Sequence, residues 1–244
     1  NFYTSDDPLN GETISVGEIV PVEFLPSSTT GAIVNHAYFS LSYDEPHEQA
    51  EWVAYMLRKE QLTHNNRKRP YYVEDPLVKT RSADWRNYKN SGYDRGHLCP
   101  AGDRRFSKKA YDETFYTSNI SPQNRDFNAG VWNRLEQKIR CWTKEKGTLF
   151  VVTGGVLEKG LPTIGQEKVG VPRYYYKIVA FGSLQNPKVI AFLVPNEESN
   201  LPLHHFIVSV DSIEKLTKID FFGALPLELQ EIFESSVALK DWGF

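Results

Sequence analysis

The sequence is poor in features that define whole classes of protein. No apolar run in its 244 residues approaches the roughly 20 residues needed to cross a bilayer. Its only two cysteines, Cys99 and Cys141, lack the CxxC or Cys/His spacing of a metal centre. They are equally compatible with a disulfide bridge and with two buried thiols. These absences exclude a transmembrane helix and a cysteine-based zinc site.

The start of the chain also lacks the usual signals. There is no initial methionine, and the polar first residues contain neither a basic region nor an apolar stretch of the signal-peptide kind. We therefore expect that a signal peptide has been removed or that the chain has been trimmed. Turn-forming residues such as Asp6, Asp7 and Pro8 predict a poorly ordered leader over residues 1–18. Together with the acidic N-terminal part, this predicts a secreted, periplasmic or cell-surface location.

Basic residues are missing from the first 57 positions, which carry nine acidic residues. Residues 58–146 carry 20 Lys or Arg and 11 Asp or Glu, a net charge of +9, although the whole chain has −3. This distribution indicates a basic site on an otherwise acidic body, as a polyanionic partner would require. Plain clustering of solvated side chains is the alternative interpretation, and the coincidence of the basic segment with the candidate site residues favours the first.

Hydrophobic patterning predicts an α+β (mixed α/β) fold with one domain over residues 19–244 and a central antiparallel sheet drawn from both ends of the chain. The strongest strand predictions, rich in Val, Ile, Phe and Tyr, are Thr148–Gly154, Tyr174–Phe181 and Lys188–Val194. Weaker strand predictions are Ile19–Phe24, His36–Tyr43 and Phe206–Val210, and Ala50–Arg58 is compatible with a strand, which we favour, or with a helix. Two helices are predicted, Ser212–Thr217 with Ser212 as its cap and Pro226–Ser235.

A longer helix is predicted to begin at Asn128, a favoured N-cap residue that precedes an apolar-periodic run. In such a helix Asn128, Glu136 and Arg140 lie on one slanting stripe with Trp132. Asn128 and Glu136 are about 12 Å apart along the axis, so only one can bind a cation directly while the other holds a metal-bound water. Mg²⁺ tolerates such a sparse ligand set. The plainer interpretation is a helix cap, a surface i,i+4 pair and a core tryptophan.

His97 ends the sequence Asp94-Arg95-Gly96-His97, a segment typical of a strand end or a turn. A histidine with a pKa near 6.5 can take a proton from water at neutral pH, which contributes about 10²–10⁴-fold to a rate. The other five histidines have no comparable neighbours. His97 is therefore the candidate general base.

Three motifs occur in order: Asp-Arg-Gly-His at 94–97, Ser-Asn-Ile-Ser-Pro-Gln at 118–123, and Asn-x(3)-Trp-x(3)-Glu at 128–136. With these motifs the chain resembles the DNA/RNA non-specific endonuclease family over residues 35–225. The resemblance implies a ββα-metal active site. It also implies a Mg²⁺-dependent, sequence-non-specific endonuclease that hydrolyses phosphodiester bonds in DNA and RNA, with Mn²⁺ as a substitute metal.

The resemblance further implies how the residues divide the work. His97 would activate a water molecule as the general base. Asn128 would be the one direct protein ligand of Mg²⁺, and Glu136 would order the waters of the metal. Asn119 would support the site through hydrogen bonds.

Arginines would complete the site by contacting the phosphate. By the resemblance, Arg95 and Arg140 would contact the phosphate and stabilise its developing charge. A third arginine is expected from the loop before Asp75, where Arg69 is our choice and Arg67 the alternative.

Two other classes of function are compatible with this fold. A catalytically silent nucleic-acid-binding protein would be indicated by loss of His97, Asn128 or Glu136, and all three are present. A structural or surface protein with an accidental cluster is disfavoured by the basic middle segment. The expected partners are DNA and RNA, with no membrane span, and a homodimer and a monomer are both compatible with the sequence.

Overall fold

The computed structural model describes residues 20–183, 186–235 and 239–244. Within these residues the fold is built on a seven-stranded sheet whose neighbouring strands are all antiparallel. In spatial order the strands, numbered along the chain, are β1 (Ile33–Asn35), β2 (Ser40–Asp44), β3 (Gln49–Arg58), β6 (Thr148–Gly155), β9 (Tyr174–Ser183), β10 (Asn186–Pro195) and β11 (Ile207–Val208). Both ends of the chain supply strands, so the predicted α+β fold with a central antiparallel sheet is confirmed.

Helices cover both faces of this sheet, because its strands are apolar on both sides. In β3 the side chain of Trp52 faces one hydrophobic core and that of Val53 faces the other, as the alternation of a strand requires. Helix α3 (Asn133–Lys146) packs Leu135 into the second of these cores. Helix α4 (Val210–Thr217) packs into the first. The result is a sheet between two helical layers.

The remaining elements are short. They are the helices α1 (Lys108–Glu113), α2 (Arg125–Phe127) and α5 (Leu227–Ser235), the ribbons of β4 (Asp94–His97) with β5 (Ile120–Gln123) and of β7 (Thr163–Ile164) with β8 (Val169–Gly170), a π-helical segment Asn128–Trp132, and 3₁₀ turns at Val22–Phe24, Glu45–His47, Lys59–Gln61, Trp85–Tyr88, Ala101–Arg104, Thr117–Asn119, Leu203–Phe206 and Leu239–Trp242. Across the described ranges, no helix has both the length and the apolar character needed to span a bilayer.

One long segment between two neighbouring strands contains every predicted site residue. Strands β3 and β6 are neighbours in the sheet, yet residues 59–147 separate them in sequence. This segment contains the β4–β5 ribbon and helices α1 to α3. Aromatic side chains that include Tyr72, Tyr88 and Phe115 form a separate hydrophobic cluster beneath its loops. The basic segment noted in the sequence therefore corresponds to one structural region beside the sheet.

The strand predictions are confirmed for β3, β6, β9 and β10, but two N-terminal predictions need correction. Residues 22–24 of the predicted edge strand Ile19–Phe24 form a 3₁₀ turn, because Pro21 has no N–H for a strand ladder. The strand predicted from His36 begins only at Ser40, since the His36 N–H donates to the Phe39 carbonyl across a tight turn.

The C-terminal predictions are confirmed for α5 and need correction at two places. Of Phe206–Val210, only Ile207 and Val208 pair with β10. Helix α4 begins at Val210, and its cap is Ser209 rather than Ser212: the Ser209 hydroxyl accepts a hydrogen bond from the Ser212 N–H.

The predicted leader, residues 1–18, lies outside the described residues. Both cysteines are free thiols: Cys99 is buried, and Cys141 is exposed on the solvent side of α3. The disulfide and the pair of buried thiols are therefore both wrong. The sequence could not distinguish the two environments, because the burial of Cys99 comes from core contacts with distant strands.

Candidate active site

The β4–β5 ribbon positions the central residues of the site. Its register pairs His97 with Ile120 and Gly96 with Ser121. Successive side chains alternate across a strand, so Arg95 and His97 project from the same face. Gly96 faces the other way, where a Cβ atom would lie 2.1 Å from the side chain of Gln123. The glycine of the Asp-Arg-Gly-His motif is therefore required by this close approach.

A cleft of about 540 Å³ lies in front of this ribbon. Four of the residues singled out in the sequence line it together: Arg69, Arg95, His97 and Asn128. Tyr72, Asp94, Ala101, Arg105, Tyr111 and Phe115 complete its walls. The strand that carries the imidazole and the segment that carries the amide thus converge on one space, although 31 positions separate His97 from Asn128 in the sequence.

The His97 ring is clamped by aromatic side chains. It makes an edge-to-face contact with Phe115, with ring centroids 4.9 Å apart, and lies 5.8 Å from the ring of Tyr72. Its Nε2 atom is buried and has no hydrogen-bond partner among the described residues. Burial, helped by the nearby charge of Arg69, lowers the pKa of His97 to about 3. The ring is therefore neutral at physiological pH, the form that can accept a proton.

Two arginines of the cleft are held by aromatic faces instead of acids. The Arg95 guanidinium lies 4.8 Å from the Tyr72 ring centroid and 5.8 Å from that of Trp85. The Arg69 guanidinium lies 5.2 Å from the Tyr72 centroid, and its Nη2 donates to the Tyr72 hydroxyl. Neither arginine forms an ion pair with an acid in the described part of the chain. Cation–π contacts thus fix both groups and leave their charge available to an anion.

The loop arginine and an arginine that we did not single out from the sequence can both be located. Arg67, the alternative to Arg69, donates its Nε to the Arg105 carbonyl at 2.6 Å and does not line the cleft. The side chain of Arg105 does line it and adds a third guanidinium. The sequence signal was the pair Arg104-Arg105. It was ambiguous because only the fold buries Arg104, which donates to the Met56 carbonyl at 2.8 Å.

The helix around Asn128 differs from the prediction. Asn124, not Asn128, caps it by accepting hydrogen bonds from the N–H groups of Asp126 and Phe127. Asn128 opens a π-helical segment in which Gly130 leaves helical geometry, with φ −98° and ψ −107°. The extra residue of a π turn shifts the register, so the continuous stripe predicted from Asn128 is wrong. Such a π turn is frequent at functional sites.

The Asn128 side chain is oriented by a neighbouring carboxylate. Its Nδ2 donates to Asp94 Oδ2 at 3.0 Å. The amide oxygen is left free for another partner, because no hydrogen bond within the described ranges reaches it. An amide oxygen beside a carboxylate suits a hard divalent cation that keeps most of its waters. No group of three or more His, Cys, Asp or Glu that could hold a metal occurs among the described residues, so a cation here would rely on these few protein oxygens.

Glu136 and Arg140 lie behind the cleft and do not line it. The Arg140 Nε donates to Asp103 Oδ1 at 2.6 Å, and its Nη2 approaches Glu136 Oε2 at 3.5 Å. Burial raises the pKa of Glu136, while the positive charges of Lys177 and Arg140 oppose the shift. Instead of a solvated surface pair, these residues form a largely buried charge network.

Trp132 and Lys177 underlie this network. Trp132 is fully buried, as its plainer interpretation predicted, and stacks on Phe127 with ring centroids 5.1 Å apart. The buried ammonium group of Lys177 lies 4.6 Å from the Trp132 ring centroid and has no hydrogen-bond partner among the described residues. Burial lowers the pKa of Lys177.

Asn119 supports the turn that follows His97. Its side chain accepts from the Cys99 N–H at 2.8 Å and donates to the Cys99 carbonyl at 3.0 Å and the Thr114 carbonyl at 2.9 Å. Its own carbonyl accepts from the Leu98 N–H at 2.9 Å. The fully buried Asn119 therefore fixes the backbone at the base of the cleft without reaching into it.

Comparison with known proteins identifies relatives of this chain. The sequence profile described as DNA/RNA non-specific endonuclease matches residues 18–228. A protein named "Nuclease EXOG, mitochondrial" from Danio rerio is 38% identical over 204 residues, 76% of this chain and 59% of its own length. "Endonuclease G, mitochondrial" from Bos taurus is 31% identical over 202 residues, 77% of this chain and 68% of its own length.

A solved structure agrees with these sequence relatives. A chain of the EndoG/EndoGI complex, a crystal structure whose stated subject is the mechanism of EndoG inhibition, is 31% identical to this chain. It superposes with a TM-score of 0.72 and covers 80% of this chain and 86% of that one. The chain spans less than two thirds of the EXOG relative's length.

Proposed function

The chain belongs to the DNA/RNA non-specific endonuclease family, and on this premise we propose that it is a metal-dependent endonuclease that hydrolyses phosphodiester bonds in DNA and RNA. The observation that carries the proposal is the cleft itself. A neutral imidazole, an amide oxygen free to bind a cation and three guanidinium groups line one space. The domain that we propose for this activity extends over residues 19–244.

His97 is the proposed general base. Its ring lines the cleft, and the imidazole would accept a proton from the attacking water. That water attacks phosphorus in line, the bond from phosphorus to the 3′-oxygen breaks, and the leaving oxygen takes a proton from solvent. Asn119 has a supporting role, since it fixes the turn after His97.

We propose Mg²⁺ as the cation, with Mn²⁺ as a substitute. Asn128 would bind it directly through its amide oxygen, and Asp94 keeps that amide in the required orientation. Glu136, behind the cleft, would order its waters. When bound, the cation supplies Lewis-acid stabilisation of charge on the phosphate oxygens, worth several kcal/mol.

The phosphate would be gripped by the arginines that have no acidic partner. Arg69 and Arg95 are preorganised by their aromatic neighbours, and Arg105 extends the positive wall. The predicted phosphate contact of Arg140 would require its guanidinium to leave Asp103, so we assign it to holding Glu136. Phosphate contacts carry no sequence information, so we expect cleavage with little sequence preference.

The cellular location stays a prediction. The two curated relatives described above are named as mitochondrial proteins, so the expected secreted, periplasmic or cell-surface location has no support from their names. Localisation of the tagged full-length protein in its own cell would test it.

Digestion of a supercoiled plasmid and of a long RNA, with Mg²⁺ and with EDTA, tests the proposal. We expect the wild type to cut both substrates with Mg²⁺ and neither substrate with EDTA. His97→Ala should cut about 10²–10⁴-fold more slowly with Mg²⁺. His205→Ala, which removes an exposed histidine from another part of the molecule, should cut like the wild type. A wild type that shifts DNA on a gel without cutting it would contradict the proposal and favour the silent binding protein.

A further inference from the structure

Tyr71 has the most exposed of the large hydrophobic side chains in the described part of the chain, with 92% of its surface accessible. Its side chain makes no hydrogen bond, ring contact or cation–π contact with the described residues. A single exposed tyrosine needs no explanation on its own. The position of Tyr71 in the chain does, because Tyr72 and Arg69, close to it in sequence, line the cleft.

The segment that contains Tyr71 is held by a side chain before it and by the backbone after it. Before it, Arg67 donates to the Arg105 carbonyl at 2.6 Å. After it, the Val73 N–H donates to the Phe115 carbonyl at 3.3 Å. The ring is therefore presented to solvent by an anchored segment.

The immediate neighbours of Tyr71 belong to the cleft. Tyr72 is buried in its wall, and Arg69, two residues before Tyr71, lines it with a guanidinium free of acidic partners. Lys68 adds an exposed positive charge to the same segment. A backbone phosphate held by Arg69 would place the adjoining nucleotide beside an exposed aromatic face.

We propose that Tyr71 is a stacking platform for an unpaired nucleobase next to the phosphate that is cut. The inference rests on the proposed function, because the phosphate in the cleft is what brings the base to the ring. Every nucleobase offers a π face, so stacking of this kind tolerates any sequence. A paired base is already stacked on both sides, so the platform favours single-stranded DNA, RNA loops and frayed ends over intact duplex.

Affinity for a fluorescent single-stranded oligodeoxynucleotide, measured in EDTA by anisotropy, and KM measured with Mg²⁺ test the platform. Tyr71→Ala should lower the affinity and raise KM, each by about 5- to 150-fold, the factor that corresponds to about 1–3 kcal/mol per stacked base. Tyr71→Phe should behave like the wild type, because it keeps the ring. Leu77→Ala is the matched control, since it removes a 51% exposed apolar side chain from the same loop and should change neither value.

An oligonucleotide series with one abasic site moved along the strand identifies the stacked base. In the wild type one position should lose about as much affinity as Tyr71→Ala loses, and in Tyr71→Ala that position should lose nothing further. Equal affinity of Tyr71→Ala and wild type, or an abasic penalty that persists in Tyr71→Ala, would overturn the inference. If the wild type binds with this pattern yet never cuts, the stacking platform stands and the proposed nuclease activity fails.

Discussion

Gly96 is the position where a single methyl group should disturb the site most clearly. Its φ lies outside the left-handed region, so alanine is compatible with the backbone, and replacement of glycine alone would stabilise by about 0.4–1 kcal/mol. The added Cβ, however, would lie 2.1 Å from Cδ and Oε1 of the fully buried Gln123 side chain. Overpacking of this kind costs about 1–3 kcal/mol. The cost of the clash exceeds the gain from replacing glycine, and we expect Gly96→Ala to lower the free energy of unfolding by about 1–2 kcal/mol.

The loss should appear as a melting temperature lower by about 2–8 °C, at about 2–4 °C per kcal/mol for a domain of this size. Activity should fall further, about 10²-fold, because the clash shifts the neighbouring His97 and a misplacement of about 1 Å in a catalytic group costs about that factor. The double variant Gly96→Ala, Gln123→Ala should recover part of both losses, since the Gln123 amide has no hydrogen bond to lose among the described residues. A melting temperature unchanged by Gly96→Ala, or a double variant that shows only the sum of the single effects, would refute this reasoning.

Three further perturbations test other parts of the site and fold. Arg105→Gln should raise KM and reduce the salt slope of log K for DNA by about 1, and an unchanged slope would remove it from the phosphate contacts. Trp85→Ala should lower kcat/KM about 2- to 30-fold, because Arg95 loses one aromatic face, and unaltered kinetics would show that Tyr72 alone suffices. Burial alone would raise the pKa of Asp75, but hydrogen bonds from His36 and neighbouring groups lower it overall. Its stabilising contribution is therefore present above about pH 4 and lost as the pH falls through the lowered pKa. Asp75→Asn should cost about 1.5–3 kcal/mol at neutral pH and flatten the acid limb of the stability curve, as urea unfolding at several pH values would reveal.

The parts of the site that follow from local pattern were predictable from the sequence. The resemblance that the three motifs carry implied a shared site for His97, Arg95 and Asn128, which line one cleft, and the Val-, Ile- and Tyr-rich segments became the central strands. The strand predictions need no knowledge of distant contacts. Trp132 was likewise expected in the core, and it is fully buried.

Features decided by competition between similar neighbours were not predictable. Asn124 and Asn128 are both good helix caps, and the choice depends on a π turn that Gly130 permits. Arg104 and Arg105 are adjacent and chemically alike. Arg104 is buried and donates to a carbonyl group from a remote part of the chain, whereas Arg105 lines the cleft. The hydrophobic periodicity of the sequence indicates neither which asparagine caps the helix nor which arginine is buried.

The position of a bound cation is the most direct test of the account. Anomalous diffraction from a crystal soaked in Mn²⁺ should show one peak about 2.1 Å from the amide oxygen of Asn128, inside the cleft that His97 lines. The peak should vanish in Asn128→Ala while the fold stays intact. A peak bound elsewhere with the Asn128 oxygen unliganded, or cleavage of DNA at full rate by Asn128→Ala, would contradict the assignment of this cleft as a metal-dependent nuclease site.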